Sequence, residues 1–347
     1  MIGGWIGGTL LLLQTCACAE FLGGKGMSAE GWRLPTLNRD ERDRLWRRNN
    51  TRAIGELAAR LLLQLVLLTA ALWLLDSGRY LWAVLAVVLN AIVWSFMSWA
   101  GIGHEFFHGS VFGNRRINSM LFRVMSTLTW NNYAFFEVSH WQHHKRTMWD
   151  DDPETSSESG ISWKELPWLL SVDVPGFFLR LQTLIWNACG RIPGRLSDSL
   201  GRDAQAVQRL RRGAQVVLAT QFLLAVGFIV IGQPWLILLV NLAAFTFTFP
   251  NRVLEVVQHC GMERNVWDYR RNTRTVVVDP LLGFLYANMN YHVEHHMFPG
   301  VPYYNLPELR KVLVEKGELN ANVSRGFAQA IRLTLSEQTP QIPSERG

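Results

Sequence analysis

Nine histidines occur in the chain, and eight of them fall into three tight groups. His104 and His108 stand at i and i+4, while His140, His143, His144 and His292, His295, His296 each repeat the offsets i, i+3, i+4. On a helix, residues so spaced share one face, with Cβ atoms about 5–6 Å apart. His259 alone lies outside the groups, just after a long apolar run. Neutral imidazole is a ligand for zinc, copper, iron and nickel, and nine such groups exceed what one six-coordinate ion can hold. The arithmetic favours two metals with about four or five histidines each. Two neighbouring irons can activate O2 for removal of hydrogen from an unactivated C–H bond. A lone buried histidine is usually a satisfied core residue, but eight in face-sharing groups are not explained that way.

Carboxylates surround these groups. Glu105, Glu137 and Glu294 lie beside a histidine or one turn from it, and Asp150, Asp151 and Asp152 follow His144 by six to eight residues. Such groups either orient an imidazole by accepting its second N–H or make plain surface salt bridges and loop caps; the sequence leaves both open. His104-Glu105-Phe106-Phe107-His108 is also a literal H-E-x-x-H, the zinc-protease pattern in which glutamate activates a metal-bound water. An intramembrane zinc metalloprotease needs one further ligand, however, and leaves six histidines without a role. A bis-histidine haem protein would hold its ligands inside the spans, and a metal transporter would line its helices with polar groups; neither pattern is present.

The elements that must position these side chains are those of a membrane protein. Hydrophobic residues make up 49% of the 347, and fifteen are Trp, a residue of the lipid–water interface. Residues 57–75 and 80–102 are apolar enough to span, separated by Asp76-Ser77-Gly78-Arg79; residues 214–231 and 235–249 repeat the pattern around Gly232-Gln233-Pro234. Arg191, Arg195, Arg202, Arg209, Arg211 and Arg212 mark the loop between the hairpins as cytoplasmic. The expected architecture is therefore an all-α integral membrane protein, four transmembrane helices in two hairpins, with a cytosolic helical cap carrying the histidine groups. Segments 118–136 and 163–186 mix apolar and charged residues, as interfacial helices do. Trp130, Tyr133, Phe135, Trp141 and Tyr291 suit either an acyl tunnel or interfacial packing. Residues 1–52 form an N-terminal segment, with residues 1–22 an anchor or an over-extended start before Met27; 53–320 form the membrane domain and 321–347 a tail. A net charge of +6 suits an anionic lipid surface or an acidic protein partner better than nucleic acid. Cys16, Cys18, Cys189 and Cys260 show neither disulfide-framework nor zinc-ribbon spacing.

HEFFH, HWQHH and HVEHH, in this order and placed after the two hairpins, resemble the three histidine boxes of the membrane fatty acid desaturase and hydroxylase superfamily. The likeness covers about residues 57–309. It implies a non-haem di-iron centre held by His104, His108, His140, His143, His144, His259, His292, His295 and His296, with O2 as co-substrate and no catalytic side chain beyond that centre. Glu255 stands one turn before His259, where some relatives have Asn. The resemblance further implies a fatty acid or acyl-lipid substrate and a separate electron donor of ferredoxin, rubredoxin or cytochrome b5 type, since no fused cytochrome b5 segment is present. It places a multi-pass protein with its active site on the cytoplasmic face, in a bacterial inner membrane rather than the endoplasmic reticulum. The expected reaction is desaturation of an acyl chain; the alternative is a hydroxylase, monooxygenase or terminal-alkene-forming oxidase. The first box has three residues between its histidines, as in acyl-lipid desaturases and several hydroxylases, and the third begins with His rather than Gln.

Overall fold

A computed structural model describes residues 32–154, 159–192, 194, 196–200, 203–319 and 322–336. The N-terminal anchor or alternative start, Cys16 and Cys18, Arg195, Arg202 and the end of the tail lie outside the described residues. The described residues from 37 to 336 form one compact unit; of residues 1–36 only 32–36 are described, without regular secondary structure.

The helices that matter for the site are, in order, α1 (Arg39–Leu45), α2 (Asn50–Asp76), α3 (Tyr80–Ser95), α4 (Ile102–His108), α5 (Arg115–Leu128), α6 (Tyr133–Lys145), α7 (Val174–Ala188), α8 (Ala204–Val230), α9 (Phe249–Val257), α10 (His292–Met297), α11 (Leu306–Glu315) and α12 (Phe327–Ser336). A parallel pair of short strands, β1 (Thr275–Val277) and β2 (Val323–Arg325), joins Thr275 to Val323 and Val277 to Arg325. The unit is thus predominantly helical, and it extends both before residue 53 and beyond residue 320.

Two helical stretches, Arg39–Asp76 and Ala204–Val230, are long and apolar enough to cross a bilayer. Only 17% and 22% of their most apolar windows are buried, so they are not the core helices of a soluble fold. At 1.5 Å per residue, the 27 residues of α2 span about 40 Å. α3 has 16 residues, about 24 Å, and is short for the ~30 Å hydrocarbon layer. It returns alongside α2, forming the first expected hairpin. The fourth apolar run is broken where a continuous helix was expected: a π-helical turn at Ile237–Asn241 and a 3-10 turn at Ala243–Phe245 precede α9. Its irregular backbone is met by side chains. Asn90 Nδ2 donates to Leu239 O at 2.9 Å and Trp130 Nε1 to Asn241 O at 2.6 Å.

Few polar residues lie within these apolar helices, and they bind one another. Gln64 Nε2 donates to Asn90 Oδ1 at 2.6 Å, Asn241 Nδ2 to Gln221 Oε1 at 2.7 Å, and Gln221 Nε2 to Thr127 O at 2.8 Å. They fix the helices to the irregular run and do not line a path, which removes the transporter reading's requirement. Arg60, 1% exposed, reaches from α2 to Phe284 O at 2.5 Å and sits 4.0 Å above the Phe284 ring. It thereby ties the spanning hairpin to the segment that leads into α10.

Replacing Asn90 by Leu strands both Gln64 Nε2 and Leu239 O, and leaving a buried polar group unmet costs about 1–3 kcal/mol. The expected result is a lower melting temperature in detergent, partly restored in the Gln64→Leu, Asn90→Leu double variant. An unchanged melting temperature in Asn90→Leu would show that the pairing does not hold the hairpin.

Candidate metal centre

Each histidine is brought in by a separate local device. α4 begins immediately below the end of α3, through a turn that only glycine permits: a Cβ on Gly101 would stand 2.0 Å from Phe96 O. His104 and His108 occupy one face of α4, which Gly109 closes in the left-handed conformation at φ 65°. α6 starts at Asn132, whose side chain accepts from Ala134 N and donates to Leu210 O at 3.0 Å and Asn187 Oδ1 at 3.1 Å. A Cβ on Gly213 would lie 2.4 Å from Asn132 Oδ1, so α8 can approach the start of α6 only at a glycine. α10 is set by Asn290, which exchanges bonds with Val276 of β1 at 2.8 Å in both directions. His259 follows α9, and the chain there is pinned by Gln258 Nε2 to Met289 O and by Arg274 Nη1 to Val257 O.

All nine histidines meet in two adjacent groups. His104, His108, His140, His144 and His295 form one and His143, His259, His292 and His296 the other, with one nitrogen of each within 4.8 Å of its fellows. The groups touch: the rings of His144 and His296 have centroids 4.5 Å apart, and those of His143 and His144 lie 6.0 Å apart. The HWQHH and HVEHH segments are therefore contiguous. Neither box belongs to one group. His140 and His144 go one way and His143 the other, while His292 and His296 join His143 and His295 joins His140.

The protons can be placed from the partners. His259 Nδ1 faces Asn272 O at 3.2 Å, and a carbonyl only accepts, so the proton is on Nδ1. His143 Nδ1 faces Asp152 Oδ2 at 2.8 Å, His140 Nδ1 faces Glu154 Oε2 at 3.0 Å and His104 Nδ1 faces Glu105 Oε1 at 3.0 Å. Thr147 Oγ1 donates to His143 O and so accepts from His296 Nδ1 at 3.2 Å. With Nδ1 protonated, the Nε2 lone pairs point inward. His104 Nε2 and His140 Nε2 then stand 2.7 Å apart and His259 Nε2 and His292 Nε2 3.0 Å apart, with no proton to share between the first pair. Converging lone pairs at that distance repel unless a cation lies among them. For adjacent ligands at about 2.1 Å from one metal, a right angle gives a nitrogen separation of about 3 Å, which these pairs match. His108 and His295 are further signs: both ring nitrogens of each are enclosed without a hydrogen-bond partner. The residues present thus fit a pair of metal ions.

Burial keeps the donors unprotonated. It pushes His104, His108, His140, His144, His292, His295 and His296 well below the ordinary imidazole value, with neighbouring histidines adding to the effect, and brings His259 down to about 3. Burial also pushes Glu154 up to about 7. At Asp152 burial works in the same direction, but the facing His143 outweighs it and holds the carboxyl down to about 2.

Of the seven carboxylates singled out from the sequence, Glu105 and Asp152 hold imidazoles. The others do not. Asp150 pairs with Arg264. Glu294 accepts from Thr275 Oγ1 at 2.6 Å and from Arg310 Nη1 at 2.5 Å, bracing α10 against β1 and α11. Asp151 pairs with Arg146 and Glu255 with Arg252. Glu137 makes no hydrogen bond to a histidine; burial raises its carboxyl while Arg123 and Arg209 oppose the rise. Sequence reasoning missed Glu154, which accepts from both His140 and Ser139. It follows Asp152 by two residues, and Asp152 Oδ1 accepts its backbone N–H at 2.9 Å, so the Asp-Pro-Glu loop after box two was the available signal.

A family model described as fatty acid desaturase matches residues 80–323, a range that contains every histidine. The chain belongs to the fatty acid desaturase family. It is 24% identical over 254 residues to a chloroplastic sn-2 acyl-lipid omega-3 desaturase (ferredoxin) of Helianthus annuus, covering 65% of this chain and 56% of that one. A chloroplastic omega-3 fatty acid desaturase of Glycine max is 25% identical over 260 residues, again 65% of this chain and 55% of the relative. A beta-carotene ketolase of Paracoccus sp. is 28% identical over 272 residues, 74% of this chain and 92% of its own. The chain therefore spans about half the length of the plant desaturases that it matches.

Two outcomes follow from this geometry. Glu154→Gln, which cannot accept from His140 as a carboxylate does, should weaken metal retention about 10–100-fold, read by metal analysis after dialysis against a chelator; full retention would mean that Glu154 does not orient His140. In metal-free protein the unfolded chain binds protons near pH 6.5 that the buried imidazoles refuse, so stability should be level above about pH 7.5 and fall as pH drops through about 6.5. A melting temperature flat between pH 5 and 7.5 would contradict the burial of these rings.

Proposed function

We propose that this protein is a membrane-bound, O2-dependent di-iron oxidoreductase that converts two adjacent methylenes of an acyl chain into a C=C bond. The observation that carries the reading is the division of nine enclosed histidines, five and four, between two touching groups in a chain of the desaturase family. His104, His108, His140, His144 and His295 would hold one iron, and His143, His259, His292 and His296 the other. When bound, the irons with O2 and two electrons supply an oxidant able to break an unactivated C–H bond. The overall balance takes two hydrogens from the chain and reduces O2 to two waters, with two electrons and two protons delivered from outside. A separate carrier of ferredoxin, rubredoxin or cytochrome b5 type would bring those electrons.

The chain's own residues prepare the site. Asp152, Glu154 and Glu105 accept Nδ1–H from His143, His140 and His104, so each imidazole offers Nε2 inward. Phe136 lies flat on His140 at 4.5 Å, and Phe107 stands 5.5 Å from the same ring, which keeps water from that side. The four apolar segments would form two membrane hairpins, with the histidines in a cap on the cytoplasmic face of a bacterial inner membrane. A zinc protease is disfavoured because its three ligands around one ion leave most of these rings unexplained.

A second reading is oxygen insertion, giving an alcohol or ketone on a lipid. It is favoured by the Paracoccus ketolase, 92% of which is covered. Both reactions begin with hydrogen abstraction and diverge in substrate placement.

Expression with a competent ferredoxin system, followed by mass spectrometry of total lipids, separates them: acyl products lighter by two hydrogens support desaturation, and oxygenated products replace it with the second reading. Purified protein should carry two irons per chain. His143→Ala and His295→Ala each remove a ligand from a different group, and each should lower bound iron and reduce turnover at least about a hundredfold while the protein still inserts in the membrane. Full turnover with undiminished iron in either variant would remove that residue from the ligand set.

A further inference from the structure

α5 presents three kinds of side chain on three sides. Ile117, Met120 and Val124, at i, i+3 and i+7, are 39%, 57% and 44% exposed. Asn118, Phe122 and Met125 are buried against the protein, and Arg116, Ser119 and Arg123 stand exposed on the remaining side. At 3.6 residues per turn the three sets fall on separate sectors of the helix. A surface helix of a soluble domain needs two sectors, one buried and one polar. The third, apolar and unburied, is that of a helix lying at a lipid–water boundary. α2 marks the same boundary: Ile54, Leu61, Leu62 and Leu65 are 60%, 45%, 62% and 54% exposed, whereas residues 47–52 are all polar.

The starts of the two helices are joined. Asn50 Oδ1 accepts from Gly113 N at 2.9 Å, and the Tyr304 hydroxyl accepts from Asn49 N at 2.7 Å while donating to Val111 O at 3.3 Å. Arg47, Arg48, Arg52, Arg115 and Arg116, all exposed, are thereby gathered where α2 and α5 meet the bilayer surface. Carboxylates of the neighbouring elements are committed elsewhere. Glu56 accepts from Arg52 and Tyr303, Glu308 from Arg44 and Glu41 from Lys316. Among the described residues no carboxylate lies within 4.0 Å of Arg47, Arg115 or Arg116.

We infer that this cluster binds the phosphate of an anionic phospholipid, whose acyl chains lie along Ile117, Met120 and Val124. A guanidinium presents a fork of N–H donors matched to phosphate oxygens, and basic residues beside a membrane helix attract anionic lipid. A zwitterionic head group carries its own cation and gains less from arginines without counter-charge. The aliphatic sector beside the arginines selects lipid over an acidic protein, which would need only the charge. The site is also braced on the chain that leaves α10: Trp46 meets Phe298 edge-on at 5.7 Å, and Asn305 Nδ2 donates to Leu45 O at 2.8 Å. A bound phosphate would therefore clamp the starts of α2 and α5 to the segment that follows the third histidine group. The inference depends on the membrane placement of these helices and not on the reaction catalysed.

The test reconstitutes the full chain in nanodiscs of phosphatidylglycerol and phosphatidylcholine in equal parts, extracts it into mild non-ionic detergent and measures the retained lipid by mass spectrometry. The wild type should retain phosphatidylglycerol over phosphatidylcholine by at least about fivefold, the factor that one basic side chain near the leaflet contributes. The triple variant Arg47→Gln, Arg115→Gln, Arg116→Gln should bring the ratio close to one. Its melting temperature in phosphatidylcholine alone should match the wild type, because the three side chains are exposed. Arg79→Gln, at the other end of α2, should leave the ratio unchanged. A ratio near one in the wild type, a preference that survives the triple variant, or an equal loss in Arg79→Gln overturns the assignment. So does an acidic ferredoxin that binds the wild type but not the triple variant in phosphatidylcholine nanodiscs while no lipid preference is found, which would give the arginines to a protein partner.

Discussion

The whole arrangement depends on unprotonated imidazole nitrogens held close together. Nε2 atoms at 2.7 and 3.0 Å, inside a shell that excludes water, form an electrostatically unfavourable cluster until positive charge is placed among them. The fold contributes the cost of that crowding beforehand, through packing and through the oxygens that fix the Nδ1 protons of His104, His140, His143, His259 and His296. A cation bound there would recover it, which would couple metal affinity to the integrity of the helices that carry the histidines. The buried ties that look incidental serve the same constraint. Arg60 joins α2 to the segment before α10, and Asn132 joins the start of α6 to α7 and α8. Each prevents one group of histidines from sliding away from its repelling neighbours.

The division of the boxes has a simple geometric cause. At 3.6 residues per turn, i and i+4 point about 40° apart, while i+3 is displaced about 60° to the other side of i. In α6 the closely aligned pair His140 and His144 therefore serves one group, and His143 turns to the next. α10 repeats the device in the opposite sense: His292 and His296 serve the second group and His295 turns to the first. Each helix thus gives two imidazoles to one group and one to the other. The exchange stitches the two sites into a single body, so that α6 and α10 cannot separate without opening both.

This exchange marks the boundary of what the sequence discloses. The histidine spacing was sufficient to expect the imidazoles to gather in two groups of four or five, and the long apolar runs were sufficient for α2 and α8. Spacing along one helix says which residues share a face; it does not say how that face divides once a second helix is opposed to it. The same limit explains the carboxylates. Glu294 sits inside a box, where the sequence left it open between an imidazole partner and a salt bridge, and Thr275 and Arg310 claim it from other parts of the chain. Glu154 lies outside every box and reaches His140 because the loop after α6 folds back under Asp152. Adjacency in sequence is a guide to these contacts only within a helix turn.

The broken fourth run shows why hydropathy alone could not draw the membrane region. Residues 235–249 are as apolar as a span, but Asn241 bonds Trp130 through its carbonyl and Gln221 through its side chain, while the backbone of Phe245 and Phe247 bonds Asp173 and Ser171. Irregular backbone at such depth is tolerated only where protein, rather than lipid, meets its polar groups. Those partners come from α5, α7 and α8 or their ends, the elements that also surround α6. The chain therefore trades a regular helix for a set of directional bonds that hold the start of α7 against the chain ahead of α9. A smooth apolar helix in lipid has no directional contact with which to fix its neighbours, and the irregular run supplies such contacts.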